Sequence, residues 1–283
     1  MTLRARVWGC RGSLPSPGEA TVRYGGNTTC VEVRSGQDVV VILDAGTGIR
    51  LLGDELGSDA QIHLLLTHLH LDHLEGLRFF APLWEAEREI HIWGPPSPIH
   101  TLEERISRSF SPPLFPVELA ELPAHIQFHD VPDDPWKLGE IQVLSLPVSH
   151  RGTTVGYRLE VAHGSLAFIP DHEPVLGVEL STLDPEWISG HALAEGVDVL
   201  LHDSQFTEDE YVERVGWGHS SVAHAVEFGR KANVGRLVLF HHDPSRSDTE
   251  VDRLRERASE LWNGAGDGAA PLAAHEGMTI ELG

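Results

Sequence analysis

The run Leu66-Thr67-His68-Leu69-His70-Leu71-Asp72-His73-Leu74-Glu75-Gly76-Leu77 puts three histidines and an aspartate into six consecutive positions. Imidazole and carboxylate are the side-chain ligands of divalent metals such as zinc. If extended geometry continues from the preceding apolar residues, His68 and His70 point the same way, and Asp72 and His73 turn toward a second position. Ordinary loop polarity would explain one or two histidines, but it accounts poorly for His-x-His-x-Asp-His. Two ions need more ligands than these four residues supply, so others must arrive from elsewhere in the chain.

The elements that would present this loop are short apolar, β-branched segments. They occur at 5–8, 30–33, 39–43, 62–67 and 90–93, and again from 126 onward at 141–144, 154–161, 165–169, 197–201, 237–240 and 278–282. Helical periodicity covers 48–56, 74–84, 101–109, 185–194, 221–232 and 249–263. Residues 62–66 read as a buried strand, and the histidine run falls in the loop before a helix starting near Leu74. Groups of strands separated by single helices describe a layered α/β protein. No Ser- or Pro-rich linker divides it, so 1–283 is expected to be one domain. The proline-bearing segment 94–123, with Ser111-Pro112-Pro113-Leu114-Phe115-Pro116, reads as an insertion packed as an arm or lid.

The formal charge is -22, and Lys137 and Lys231 are the only lysines. Such a surface disfavours long nucleic acid, because Lys and Arg contacts to phosphates supply most of that affinity. A small anionic substrate is compatible where bound metal reverses the local sign. No apolar run approaches the roughly 20 residues of a membrane span. The N-terminus has no signal-peptide h-region, and a cytoplasmic protein is expected. Cys10 and Cys30 are too few for a disulfide framework and lack the spacing of a zinc clip, so both should be reduced and buried.

Thr67-His68-Leu69-His70-Leu71-Asp72-His73 resembles the signature of the metallo-β-lactamase fold superfamily. The resemblance extends over most of the chain. Leu43-Asp44-Ala45-Gly46 precedes the signature as in that family. His150, in Pro147-Val148-Ser149-His150, matches its third metal-binding histidine. Asp171, in Phe168-Ile169-Pro170-Asp171, matches the aspartate that bridges both ions. The last ligand falls in His241-His242-Asp243-Pro244, where His241 is preferred and His242 is the fallback. The resemblance implies an αββα four-layer sandwich with the metal site at one edge of the sheets. It also implies two divalent ions, Zn2+ or alternatively Mn2+ or Fe2+. His68, His70, His150 and Asp171 would hold one, and Asp72, His73, Asp171 and His241 the other.

Within that superfamily the chain is most similar to the branch of tRNase Z and the cyclic-phosphate phosphodiesterases. His202-Asp203-Ser204-Gln205-Phe206 resembles the H-E-A-T-F motif of tRNase Z, with Asp203 in place of its Glu, and Gly218-His219-Ser220-Ser221 resembles its G-H-S-T. Gly9-Cys10-Arg11-Gly12-Ser13 and Tyr24-Gly25-Gly26-Asn27-Thr28-Thr29-Cys30 resemble stretches of bacterial members near the cyclic phosphodiesterases. The implied activity is dinuclear metal-dependent hydrolysis of small or cyclic phosphodiesters, including cyclic nucleotides, by a hydroxide bridging the two ions. Asp72 would accept its proton, His219 would protonate the leaving group, and Asp203 would orient His219. The alternatives are a tRNA 3′-end endonuclease and a thioester or lactone hydrolase on the same site. Against the tRNA reading, Arg105 and Arg108 of segment 94–123 are outnumbered by Glu103, Glu104, Glu118 and Glu121. Relatives of this fold are often dimers, so a homodimer is the assembly the resemblance implies.

Other polar residues have simpler readings. Asp44 is expected to order backbone at a strand end, with support of a metal-binding histidine as the alternative. His172 is either structural or lines the pocket. Asn27 sits in a glycine-rich turn and reads as a turn residue, with approach to the substrate as the alternative. Gly46-Thr47-Gly48 lacks the Lys and remaining glycines of a phosphate loop.

Overall fold

In Val39-Val40-Val41-Ile42-Leu43 every side chain is apolar, so the segment has no solvent face and must be covered on both sides. The computed structural model, which describes residues 2–36, 38–57, 60–263 and 269–283, meets this demand with two stacked sheets and helices outside each. The first sheet takes β1 (Leu3–Gly9), β2 (Cys30–Arg34), β3 (Val39–Leu43), β4 (Gln61–Leu65), β5 (Glu89–Gly94) and β6 (His125–Asp130). The second takes β7 (Trp136–Leu138), β8 (Ile141–Pro147), β9 (Val155–Val161), β10 (Gly164–Ile169), β11 (Val199–Asp203), β12 (Arg236–Phe240) and β13 (Leu272–Ala273). Finally β14 (Thr279–Leu282) returns to pair with β1, giving the spatial orders β14-β1-β2-β3-β4-β5-β6 and β13-β12-β11-β10-β9-β8-β7.

Strand alternation sorts the side chains into three apolar layers. Val41, Leu43 and Leu65 meet Tyr157, Phe168, Leu201 and Phe240 between the sheets. Val40, Ile42 and Leu64 face outward under α1 (Ile49–Glu55) and α2 (Leu102–Ser107). Ala167, Leu200 and Leu239 lie under α3 (His191–Ala194) and, beyond the short α4 (Glu208–Val212), under α5 (Val222–Lys231) and α6 (Asp248–Asn263). The result is an αββα sandwich. Cys10 and Cys30 are free and buried. Among the described residues, no helix is long and apolar enough to cross a membrane.

Strand direction gathers the chemistry at one edge. β3 and β4 are parallel, and β1 joins them in direction because both β1–β2 and β2–β3 are antiparallel. In the second sheet β10, β11 and β12 are parallel, and β8 matches them through the antiparallel β9. The loops leaving β1, β3, β4, β8, β10 and β12 therefore carry Ser13, Asp44, His68 to His73, His150, Asp171 and His241, and β11 ends on Asp203.

Two helical expectations change. Residues 74–84 form short 3-10 turns, Leu77–Phe79 and Ala81–Trp84, instead of one helix. Gly76 sits so close to Gly46 that a Cβ would lie 2.1 Å from its carbonyl oxygen, and Pro82 removes a backbone donor. Residues 185–194 divide at Gly190, in the left-handed region, into a 3-10 turn and the four-residue α3. Segment 94–123 is the crossover between parallel β5 and β6. Its α2 is opened by a Thr101–Glu104 capping box, and Leu102, Ile106 and Phe110 are buried in the outer layer.

Candidate metal centre

Asp44 anchors the histidine loop. Its carboxylate accepts the Thr67 backbone N–H at 2.7 Å and the Thr67 hydroxyl at 2.9 Å, and His73 Nδ1 donates to it at 2.8 Å. His68 Nδ1 lies 3.0 Å from Thr67 Oγ1, so one chain of donors runs from His68 through Thr67 to Asp44. Both rings are thereby held by Nδ1, which leaves each Nε2 directed inward. Asp44 thus orders the strand end and also orients His73, the role expected only as the alternative. On the facing sheet His150 Nδ1 donates to Gly218 O at 2.7 Å. Asp72 Oδ2 accepts the Ser13 N–H at 2.7 Å. Ser13, Asp44 and His241 all have φ near +60°, at 61°, 61° and 59°, and such left-handed non-glycine residues persist only where surrounding structure enforces them.

Two groups of ligand atoms result. His68, His70, His150 and Asp171 bring one atom each to within 4.8 Å of one another, and so do Asp72, His73, Asp171 and His241. His73 Nε2 lies 3.0 Å from Asp171 Oδ1 and 3.3 Å from Asp72 Oδ2, and His241 Nε2 lies 3.2 Å from each of the same two oxygens. On the other side, His68 Nε2 and His150 Nε2 lie 3.8 and 3.5 Å from Asp171 Oδ2, and His150 Nε2 lies 3.2 Å from His70 Nδ1. Asp171 therefore faces each group with a different oxygen.

These groups fit divalent cations. His68 Nε2, His73 Nε2 and Asp171 Oδ1 are buried without a hydrogen-bond partner, which in a protein interior calls for another ligand. Electrostatics agree. Burial opposes charge on His73, yet Asp171, Asp72 and Asp44 drive its pKa well above the usual imidazole range. Burial also opposes ionisation of Asp171 and Asp72, but the surrounding imidazoles hold both carboxyls below the usual range. Two carboxylates kept ionised in the interior draw positive charge into this space.

A third group, Asp203, His219 and His241, is of another kind. The Asp203 oxygens are already occupied: backbone N–H groups of His172, Gln205 and Ser220 donate at 3.1, 3.1 and 3.2 Å, and His219 Nδ1 donates at 2.7 Å. It is a hydrogen-bonded acid–base pair beside the metal groups, with the His219 ring stacked on His241 at 5.1 Å. Burial disfavours the His219 cation, but Asp203, with help from Asp171 and Asp72, holds its pKa up to about 9. Ser221 caps α5 by accepting from His224 N at 3.1 Å, which fixes His219 two residues upstream.

His242, the fallback ligand, points away and meets Ala274 O at 2.9 Å. His172 does not line the pocket. It is fully buried behind Asp171, with Nδ1 2.9 Å from His202 Nε2 and its ring against Phe228. Asn27 sits in a turn whose N–H donates to Glu276 at 2.7 Å. Three supporting residues were given no role by the sequence, although Arg11 and Gly12 lie in the motif at 9–13. Arg11, fully buried, donates to Gly25 O, Asp243 O and Arg246 O, tying the β1 loop to the His241 loop. Gly12 leaves room for His241, whose Nδ1 would be 2.3 Å from a Cβ there. Buried Glu173 accepts from Gly216 N, Gly218 N and Tyr211 Oη, holding the loop that carries His219.

Comparison with known proteins agrees with this architecture. Residues 40–242, most of the chain, match the profile of the Beta-lactamase superfamily domain. Ribonuclease Z of Haloarcula marismortui is 26% identical, with 93% of each chain covered. Among solved structures, the metallo-beta-lactamase fold protein YhfI from Bacillus subtilis superposes with a TM-score of 0.72 at 20% identity, covering 99% of this chain and 100% of the other. The short form of human tRNase Z superposes with a TM-score of 0.66 at 19% identity, covering 98% of each. The two structural likenesses bear on the fold, which is the same in each, while the profile match assigns the family. The chain belongs to the beta-lactamase superfamily and is a hydrolase built on the metallo-β-lactamase fold.

Proposed function

We propose that this hydrolase is a phosphodiesterase that uses two divalent metal ions and acts on small or cyclic phosphodiesters. His68, His70, His150 and Asp171 would hold one ion, and Asp72, His73, Asp171 and His241 the other. Histidine with carboxylate and no thiolate suits Zn2+ and also accepts Mn2+ or Fe2+. When bound, such a pair activates water near neutral pH and offsets phosphoryl charge.

The chain's own residues supply the proton transfers. Asp72 accepts a proton from the attacking water. His219 gives one to the departing alkoxide from Nε2, since its Nδ1 is committed to Asp203. Asp203 fixes the ring and stabilises its charged form. This pair carries the reading. A thiolate leaves without assistance, whereas an alkoxide needs a proton, so a dedicated donor at the cluster favours phosphodiesters over thioesters.

The test combines metal analysis with initial rates on bis(p-nitrophenyl) phosphate, a cyclic-nucleotide panel and an acyl thioester, for wild type and His219→Ala. Cyclic-nucleotide turnover that collapses in the variant, with a smaller loss on bis(p-nitrophenyl) phosphate, supports the assignment. Turnover confined to the thioester and indifferent to the variant overturns it.

RNA is the second reading, because the Haloarcula relative aligned along nearly its whole length is named Ribonuclease Z. That name conflicts with the expectation, drawn from net charge, that long nucleic acid is disfavoured. A precursor tRNA with a 3′ trailer belongs in the same assay. Cleavage at the trailer at rates exceeding those on every small diester would reassign the enzyme to RNA processing.

A further inference from the structure

The chain carries 43 acidic residues against 21 Lys and Arg. Yet a cavity of about 470 Å³ that opens beside His68 and His70 has, among the described residues, no Asp or Glu in its lining and has three arginines, Arg105, Arg108 and Arg151. Charges have been sorted here. Arg105 and Arg108 come from the β5–β6 crossover, while Glu103 and Glu104 of the same helix are exposed and Glu104 is engaged in the capping box. The surplus of acid in segment 94–123 therefore does not describe what it presents to the metal centre.

The three arginines differ in freedom. Arg105 is fixed, donating to Pro95 O at 2.7 Å with Asp130 at 3.7 Å. Arg151 donates through Nε to Gly216 O at 3.0 Å, which leaves its terminal nitrogens available. Arg108 is exposed at the cavity wall. Between them Leu69, Leu71, Leu74 and Leu114 line the cavity together with Ser97, Ser109 and Thr153, and two of the leucines are unusually open to water, Leu71 at 66% and Leu114 at 70% exposure. Guanidinium groups beside exposed leucines suit a ligand with a flat apolar face and an anionic end.

We infer that this cavity is a subsite for the substrate beyond the scissile diester, and that it selects a nucleoside-like body bearing a second phosphate. The inference rests on the phosphodiesterase reading and specifies its substrate class. Guanidinium groups pair with phosphate through paired N–H donors, while the leucines cover the base or sugar.

Two measurements test it separately from that reading. The first compares kcat/KM of the metal-loaded enzyme on thymidylyl-thymidine with and without a 5′-phosphate. The second measures, by calorimetry, binding of thymidine 3′,5′-bisphosphate against thymidine 5′-monophosphate. Wild type should prefer the compound with the additional phosphate by about tenfold in each, as one charge-assisted contact supplies. Arg108→Gln and Arg151→Gln should each reduce that ratio toward one. Equal binding and equal kcat/KM for both members of each pair overturns the inference while leaving the phosphodiesterase intact. A binding preference that the variants abolish, in an enzyme without diesterase turnover, upholds the subsite and rejects the phosphodiesterase instead.

Discussion

Asp203 Oδ2 and His219 Nδ1 lie 2.7 Å apart, and the carboxylate making this contact is completely buried and bonded to three backbone N–H groups. A carboxylate so enclosed cannot follow the imidazole if it moves, so it dictates both the ring's position and which nitrogen carries its proton. His219→Ala should lower kcat on alkyl phosphodiesters by about 10² to 10⁴-fold. Asp203→Asn should lower it as well, because its amide offers an N–H where His219 needs an acceptor. Substrates with a p-nitrophenolate leaving group need less protonation and should suffer less. A leaving-group series measured on both variants checks this, and equal losses across the series would assign the pair a structural role only.

Asp44 reaches the cluster through His73 Nδ1 at 2.8 Å and through Thr67 to His68. Asp44→Asn preserves shape and an acceptor for the Thr67 N–H, but removes the charge that sets the His73 tautomer. Metal affinity should drop by about 10 to 100-fold. Competition with a chelator, read by metal analysis, measures this directly. Unchanged affinity would confine Asp44 to ordering the strand end.

How much of this was legible in the sequence depends on distance along the chain. His68, His70, Asp72 and His73 are conspicuous because four ligand-type side chains crowd six positions between a strand and a turn. His241 and His242 cannot be separated that way, since both follow β12. A φ of 59° at His241 turns one ring inward, and Ala274 holds the other. Asp44, Arg11 and Glu173 act through partners 14 to 235 positions away, at Thr67, Gly25, Gly216 and Arg246 among others, and such pairings leave no local pattern. The strands β7 and β13, of three and two residues, are shorter than any periodicity can register. A layered α/β protein was readable in the groups of apolar strands, and β3, apolar on both faces, already requires cover on both sides, whereas the four-layer order came only with the family resemblance.

Buried neutral histidines make the fold sensitive to acid. Burial pushes the pKa of His63, His202 and His242 down to about 4. In the unfolded chain such rings titrate near about 6.5. Above that value they are neutral in both states and pH has no effect through them. As pH falls from about 6.5 to about 4 the unfolded chain takes up protons that the folded chain refuses, so stability falls and the loss is complete below the folded value. For the fully buried His202 this loss amounts to about 3 kcal/mol at most. Urea unfolding of metal-free protein from about pH 7.5 to about pH 4.5 should show the decline, and His202→Gln should make it shallower. An identical pH slope in the variant would contradict the assignment.

Gly12 tests how finely the His241 side of the centre is built. A Cβ at this position would lie 2.3 Å from His241 Nδ1 and 2.4 Å from its Cε1. Carbon and nitrogen in ordinary contact stand about 3.5 Å apart, so Gly12→Ala must displace either the ring or the β1 loop by roughly 1 Å. The loop has little freedom, because Ser13 N is bonded to Asp72 and Arg11 to three carbonyls. The ring should therefore yield. His241 belongs to only one of the two metal groups, so the variant should retain the ion held by His68, His70 and His150 and lose the other. Metal analysis should give about one ion per chain in place of two, and activity should fall by about 10²-fold, the cost of a misplacement of this size. Circular dichroism melts should stay close to wild type, since the sheets and their apolar layers are untouched. Full metal content with full activity would mean that the loop relaxes around the methyl group and that the glycine is not required for His241.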